Sequence, residues 1–147
     1  MHSNEKNIGL NSLLQTSPDF KCTSPHSNFI EVNTTTLDKL CSENLIDHID
    51  IIKFDIQGGE LLALNGLCSL LEQEKVGLIY TEVQFGKPAY ENQAMFSKIS
   101  SFLQDFGFFI YDIYPRHSGF LGNLTWGDAI FIEPPLINSF EKQGLWQ

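Results

Sequence analysis

Two charged side chains interrupt an apolar strand pattern near the middle of the chain, and they are the first candidates for chemistry. Lys53 and Asp55 lie in a run of isoleucine and phenylalanine that ends at the glycine pair Gly58-Gly59. Because strand residues two apart point to the same face, these two side chains are expected to share one side of a strand. Burying a charge without a partner is costly, so the pair requires either a structural ion pair or a ligand. An ion pair between Lys53 and Glu60 is the structural alternative.

A second acid stands in a comparable place one strand further along the chain. Asp55 falls at the carboxyl end of its predicted strand, and Glu82 falls near the end of the next apolar run, at 76–83. Open α/β sheets bind their ligands at the carboxyl ends of parallel strands. If the two strands are parallel neighbours, both carboxyl groups face one cleft, where a carboxylate can accept a proton or orient a ligand.

The rest of the pattern describes the elements that must hold these acids in place. Thr35 and Asp38 have the spacing of a capping box at the start of a helix, and Pro115 is expected to end a strand. Apolar runs predict strands at 29–32, 51–56, 76–83, 108–114 and 129–132, and helical periodicity predicts helices at about 36–43, 61–71 and 95–106, with Gly66 interrupting the second helix.

Alternation of strands and helices predicts an α/β fold in which helices pack on a largely parallel sheet. The strand at 51–56 is expected to be central and buried on both faces. No helical pattern separates the last two strands, so they are expected to pair antiparallel as a hairpin. We divide the chain into a polar N-terminal arm or residual linker at 1–28, a domain portion at 29–135 and a tail at 136–147.

Composition argues against several classes of partner and site. The net charge of −9, with nine lysines and arginines scattered along 147 residues, argues against a nucleic-acid or anionic-membrane surface. No stretch approaches the roughly 20 apolar residues of a membrane span, and the first residues lack the apolar core of a signal peptide, so a cytoplasmic protein is expected. Cys22, Cys41 and Cys68 form no CxxC pair, so we expect free thiols and no metal site.

The segment around the two central charges resembles the signature of a known enzyme family. Lys53-Phe54-Asp55-Ile56-Gln57-Gly58-Gly59-Glu60, followed by Leu64-Asn65-Gly66, is similar to the Lys-x-Asp-x-(Glu or Gln)-Gly-x-Glu and Leu-x-Gly pattern of the FkbM-type methyltransferases. Further matches are Val32-Asn33-Thr34-Thr35-Thr36-Leu37-Asp38, Glu82-Val83, the 103–107 segment before a phenylalanine-rich strand, and Gly127-Asp128-Ala129-Ile130-Phe131. The resemblance spans roughly residues 8 to 132.

This resemblance implies a fold and an activity. The fold would be a partial Rossmann-like class I methyltransferase fold, in which the strands from 51–56 onward are the fourth to the seventh. The seventh strand would insert antiparallel between the fifth and the sixth. The activity would be S-adenosylmethionine-dependent methylation of a hydroxyl group on a small molecule or sugar.

One part of the family pattern is missing from the chain. Such enzymes hold the cofactor with a glycine-rich loop after the first strand and an acid after the second, and no acidic-x-Gly-x-x-x-Gly pattern occurs here. The chain therefore resembles the C-terminal portion of the family domain, as a truncated form would, and no residue is assigned to cofactor binding. We expect the chain alone to bind S-adenosylmethionine weakly or not at all.

The resemblance also suggests roles for the candidate residues. Asp55 is the first candidate for the general base or for positioning the acceptor, with Glu82 second, and Lys53 would orient or neutralise one of them. Gln57 and Glu60 are candidates for binding the acceptor. A structural role for Glu60 is the alternative, because a helix start favours an anion.

A non-enzymatic alternative remains open from the sequence. A partial sheet has an exposed edge that can pair with another strand. The chain would then be a binding or assembly module, or an inactive fragment, that docks a separate N-terminal half or a second copy of itself.

Overall fold

The computed structural model describes residues 1–3, 11–18, 28–118 and 122–144. Its strands are β1 (His2–Ser3), β2 (Asn28–Phe29), β3 (Ile49–Phe54), β4 (Val76–Gln84), β5 (Phe109–Ser118) and β6 (Leu124–Ile132). Its helices are α1 (Leu37–Glu43), α2 (Glu60–Asn65), α3 (Cys68–Glu72), α4 (Phe96–Asp105) and α5 (Pro134–Lys142). The predicted α/β class is confirmed, and so is the interruption of the second predicted helix at Gly66, which separates α2 from α3.

A four-stranded mixed sheet organises the described residues. Its strand order is β3-β4-β6-β5, with β3 and β4 parallel and β6 antiparallel to both of its neighbours. The predicted antiparallel pairing of the last two strands is therefore confirmed. The last strand also inserts between the two strands before it, as the family resemblance implied.

Helices cover one face of this sheet. Phe54, Thr81 and Ala129 are neighbours across the sheet, and they point into a core to which α2, α3 and α4 contribute Leu64, Leu71 and Leu103. The side chains that alternate with them point to the other face, where Ile51 is 67% exposed. Thus the prediction that this strand is central and buried on both faces is wrong. Among the described residues, β3 is an edge strand that pairs with β4 alone.

The start of α1 differs from its predicted capping box. Thr36, not Thr35, is the N-cap residue, and its hydroxyl accepts a hydrogen bond from the Lys39 amide at 3.2 Å. Asp38 instead accepts hydrogen bonds from the amides of Ser69 at 2.9 Å and Leu70 at 3.1 Å. This carboxylate therefore caps α3 from another helix and ties α1 to it.

Other boundaries also differ from the sequence predictions: β3 is Ile49–Phe54 and not 51–56, and β6 begins at Leu124 and not at 129. The strand at 29–32 is reduced to β2, which ends at Phe29. Pro115 does not end β5, because it falls at an irregularity in the pairing with β6 on an edge strand, where a missing amide hydrogen is tolerated. The predicted tail is not free of regular structure, because α5 begins at the two prolines before it, which helix starts accept well, and continues into the tail to Lys142.

Two sequence predictions concern cysteines and membrane insertion. Cys41 and Cys68 are free thiols, as predicted, whereas Cys22 lies outside the described residues. No helix in the described parts of the chain is long and apolar enough to cross a membrane.

Two leucines of α2 provide a matched test of the core. Leu64 is 0% exposed and Leu62 is 59% exposed. We expect Leu64→Ala to lower the free energy of unfolding by about 2–5 kcal/mol, because it removes buried methyl groups and leaves a cavity. Leu62→Ala should cost less than about 1 kcal/mol. Urea unfolding measures both, and equal losses would contradict the assigned faces of α2.

Candidate functional site

The candidate site is built on the turn that joins β3 to α2. Gln57 and Gly58 both have left-handed backbone conformations, with φ values of +53° and +93°. Glycine adopts this conformation freely, whereas a residue with a side chain pays about 1–2 kcal/mol. The turn therefore needs contacts that hold it. It reverses the chain directly after Asp55, at the carboxyl end of β3.

Glu60 holds this turn from inside the protein. Its side chain is 2% exposed, and its Oε1 accepts hydrogen bonds from the amides of Ile56 and Gly58, each at 3.2 Å. Burial raises the pKa of Glu60, and the backbone hydrogen bonds partly offset that shift. The predicted ion pair of Lys53 with Glu60 is wrong, because Lys53 pairs with Asp55. The acceptor-binding role predicted for Glu60 stays a prediction.

The Asp55 carboxylate accepts a hydrogen bond on each of its oxygens. Lys53 Nζ donates to Oδ2 at 3.1 Å, and Gln57 Nε2 donates to Oδ1 at 3.1 Å. The hydrogen bond and charge of Asp55 raise the pKa of Lys53. Lys53 Nζ also lies 5.4 Å from the centroid of the Tyr80 ring, within the range of a cation–π contact. Three predicted site residues, Lys53, Asp55 and Gln57, therefore form one connected group.

Glu82 lies beside this group on the neighbouring strand. Phe54 is in register with Thr81, so Asp55 and Glu82 take the next positions on neighbouring parallel segments, as predicted, although β4 continues to Gln84. Burial, followed by the charges of Glu60, Asp55 and Asp128, raises the pKa of Glu82 to about 7. Among the described residues, no hydrogen bond or ion pair involves the Glu82 carboxylate.

The sequence analysis missed two members of the site, Tyr80 and Asp128. The Tyr80 hydroxyl donates a hydrogen bond to Asp128 Oδ2 at 3.0 Å, and burial together with this bond raises the pKa of Tyr80. Asp128 is in register with Glu82 across the β4–β6 pair. The available signal was strand alternation, because Tyr80 precedes Glu82 by two residues and shares its face. Asp128 could be assigned to the site only once β6 was known to lie beside β4.

The two glycines of the turn do not form an open cradle for a ligand. The Gly58 amide donates to Glu60. A side-chain carbon at Gly58 would lie 3.0 Å from Tyr90 Cδ2 and 3.2 Å from Leu14 Cδ1, so its surroundings are filled by protein. In the described residues, no group of three or more histidine, cysteine or acidic side chains is arranged to hold a metal ion.

Comparison with known proteins gives one match. The family model described as the methyltransferase FkbM domain matches residues 4–110, which is more than half of the chain. No curated protein and no solved structure matches the chain.

The raised pKa of Glu82 predicts a pH dependence of stability. The unfolded pKa is 4.5 and the folded value is about 7, so the folded state holds the proton more tightly. This contribution to stability is fully present below pH 4.5 and is lost as the pH rises through about 7. After allowance for screening by water, the loss should be roughly 2 kcal/mol.

Glu82→Gln should reduce this loss, because a glutamine cannot ionise. Urea unfolding between about pH 4.5 and 8 measures the difference from the native protein, and part of the slope should remain because the pKa of Glu60 is also raised. Glu72→Gln, an exposed change on α3, is the matched control and should keep the native slope. A native slope in Glu82→Gln would contradict the assigned environment of Glu82.

Proposed function

Because the chain belongs to the FkbM methyltransferase family, we propose that it methylates a hydroxyl oxygen of a small molecule or sugar. The observation that carries this proposal is the pair of carboxylates that directly follow the paired parts of β3 and β4. One of them, Asp55, is fixed by two hydrogen bonds, and the other, Glu82, is available to take a proton.

We also propose that the sheet corresponds to the last four strands of a Rossmann-like class I methyltransferase fold. The strand order β3-β4-β6-β5 supports this, because the resemblance implies an antiparallel last strand inserted between the two before it. That the chain represents the C-terminal portion of such a domain stays a prediction.

Glu82 is our candidate for the general base. Methyl transfer to a hydroxyl group leaves a proton that must be removed, and a base is most effective when its pKa lies near the working pH. The pKa of Glu82, at about 7, meets this condition, and its carboxylate is not committed to a hydrogen bond within the described residues. This reverses the order expected from the sequence, in which Asp55 came first.

Asp55 is better suited to holding the acceptor in place. Each carboxylate oxygen has two lone pairs, so the hydrogen bonds from Lys53 and Gln57 leave one acceptor position on each oxygen. An acceptor hydroxyl bound there would be oriented relative to Glu82 on the next strand. Orientation of reacting groups can supply several kcal/mol of rate acceleration. Lys53 offsets the negative charge of the site, and Gln57 and Glu60 remain candidates for contacts with the acceptor.

S-adenosylmethionine is the methyl donor that membership of the family implies. The described residues do not fit this group as a binding cradle, because the Gly58 amide is bonded to Glu60 and the space around Gly58 is filled. We therefore assign the described site to the acceptor side of the reaction and assign no residue to the donor.

A labelled-methyl assay tests the proposed function. The chain is incubated with a high concentration of S-adenosylmethionine carrying a ¹³C-methyl group and a panel of hydroxyl-bearing small molecules and sugars. We expect a new O-methyl signal by NMR, and we expect Glu82→Gln to lower the rate by about 10²–10⁴-fold, the usual contribution of a general base.

Two controls make the assay specific. Glu72→Gln should keep the native rate, because its side chain is exposed on α3 away from the site. Transfer only to nitrogen or carbon would contradict hydroxyl methylation, and a fully active Glu82→Gln would contradict the role of Glu82. A complete lack of transfer would contradict methylation by this chain.

The second candidate is self-association through β3, and the open edge of this strand supports it. Within the described residues β3 pairs on one side alone, and Ile51 exposes 67% of its surface on the adjoining face. Unpaired strand edges readily pair with a strand of another copy. If this candidate is correct, light scattering should show a dimer at micromolar concentration. Ile51→Lys should weaken that dimer. A strictly monomeric chain would exclude it.

A further inference from the structure

Residues 11–18 run beside the segment that follows β4. Thr16 forms an antiparallel bridge with Tyr90, the Ser17 amide donates to the Ala89 carbonyl at 2.8 Å, and the Glu91 amide donates to the Gln15 carbonyl at 2.8 Å. These contacts bring residues 11–18, part of the arm expected at 1–28, to the β3–α2 turn.

Ser12 fixes the backbone of this turn. Its side chain is 2% exposed, and its hydroxyl donates to the Gln57 carbonyl at 2.6 Å and accepts from the Leu14 amide at 2.9 Å. Gln57 is the left-handed residue with φ +53°. A bond to its carbonyl therefore holds the peptide in the orientation that this conformation requires.

Tyr90 fixes the side chain of the same residue. Tyr90 is 4% exposed, and its hydroxyl donates to Gln57 Oε1 at 2.8 Å. Both oxygens of the Asp55 carboxylate accept hydrogen bonds, so the amide nitrogen of Gln57 faces Asp55. The amide oxygen then faces Tyr90, whose hydroxyl must donate. The direction of every bond from Tyr90 to Asp55 is thereby determined.

We propose that Ser12 and Tyr90 are positioning residues that set the orientation of Asp55 through Gln57. They lie 45 and 33 positions away from Gln57 in the chain, so two distant segments converge on one amide group. The importance of Asp55 for an acceptor rests on the proposed function. The coupling from Tyr90 to Asp55 does not, and it can be measured without a methyl donor or acceptor.

The alternative is that both hydroxyl groups only satisfy buried polar atoms and stabilise the fold. That role would lower stability when a hydroxyl is removed, but it would leave the Gln57 amide and the Asp55 carboxylate unchanged in the folded protein. NMR of the folded state separates the two roles.

Tyr90→Phe is the decisive variant, because it removes the hydroxyl and keeps the ring beside Gly58. In the native protein we expect the side-chain amide protons of Gln57 to be displaced from those of Gln104, which is exposed on α4. In Tyr90→Phe they should move towards the Gln104 signals, while the backbone amides of β4 and β6 keep their positions. Unchanged Gln57 signals in a folded Tyr90→Phe protein would overturn the proposal.

A double-mutant cycle tests whether Tyr90 acts through Gln57. The ¹³C shift of the Asp55 carboxyl carbon is measured in the native protein, Tyr90→Phe, Gln57→Ala and the double variant. We expect Tyr90→Phe to move this signal when Gln57 is present and to have no further effect when it is absent. An equal displacement in both backgrounds would overturn the proposal.

Two further variants complete the design. Ser12→Ala should displace the backbone amide signals of Gln57 and Gly58 as well as the Gln57 side-chain signals, and native signals in this variant would remove Ser12 from the proposal. Tyr111→Phe removes a hydroxyl from an exposed side chain on β5 and should leave every Gln57 signal in place. If Ser12→Ala fails to fold, the Tyr90→Phe cycle still decides the question.

Discussion

The arrangement of the site depends on one buried carboxylate. Glu60 lies at the start of α2, where the partial positive charge of a helix end favours an anion, and it accepts two amide hydrogen bonds from the turn before it. Without such an acceptor, the amides of Ile56 and Gly58 would be left without these partners. The turn would lose the contacts that offset its left-handed backbone, and Asp55 would lose its defined position.

This constraint also shapes the charge of the site. Glu60 must remain close to the end of β3, and its negative charge raises the pKa of Glu82 on the next strand. Asp55 and Asp128 add to the same effect, while Lys53 opposes it. A structural carboxylate therefore changes the proton affinity of a neighbouring one that makes no hydrogen bond of its own among the described residues. The pKa of Glu82 therefore depends on burial and on the charge of a carboxylate whose role is to hold the turn.

Local patterns predicted the parts of the fold that depend on neighbours in sequence. Apolar alternation located β4, and periodicity located α4 together with its end at Gly107, which has φ +84°. The neighbouring positions of Asp55 and Glu82 on parallel segments followed from the same reasoning. The strand alternation that located Lys53 and Asp55 also predicted correctly that their side chains would meet.

Contacts between distant segments were beyond these patterns. Burial of β3 on both faces was wrongly inferred from its apolar residues, because apolar composition does not specify what covers each face. The hydrogen bonds of Asp38 to α3, and those of Ser12 and Tyr90 to Gln57, join positions more than 30 residues apart. No local spacing signals such contacts. Asp128 reaches Glu82 only because β6 enters the sheet between two earlier strands.

That insertion has a consequence for the order in which the protein assembles. β4 and β5 do not touch as sheet neighbours, since β6 hydrogen-bonds to both. During synthesis, β3 and β4 can pair early, but β5 has no place in the sheet until β6 emerges. The pairing of β4 with β6 closes a loop of more than 40 residues, a non-local step of the kind that slows folding. Asp128 therefore joins Asp55, Glu60 and Glu82 only when β6 enters the sheet, so its share of the electrostatic repulsion on Glu82 is imposed last.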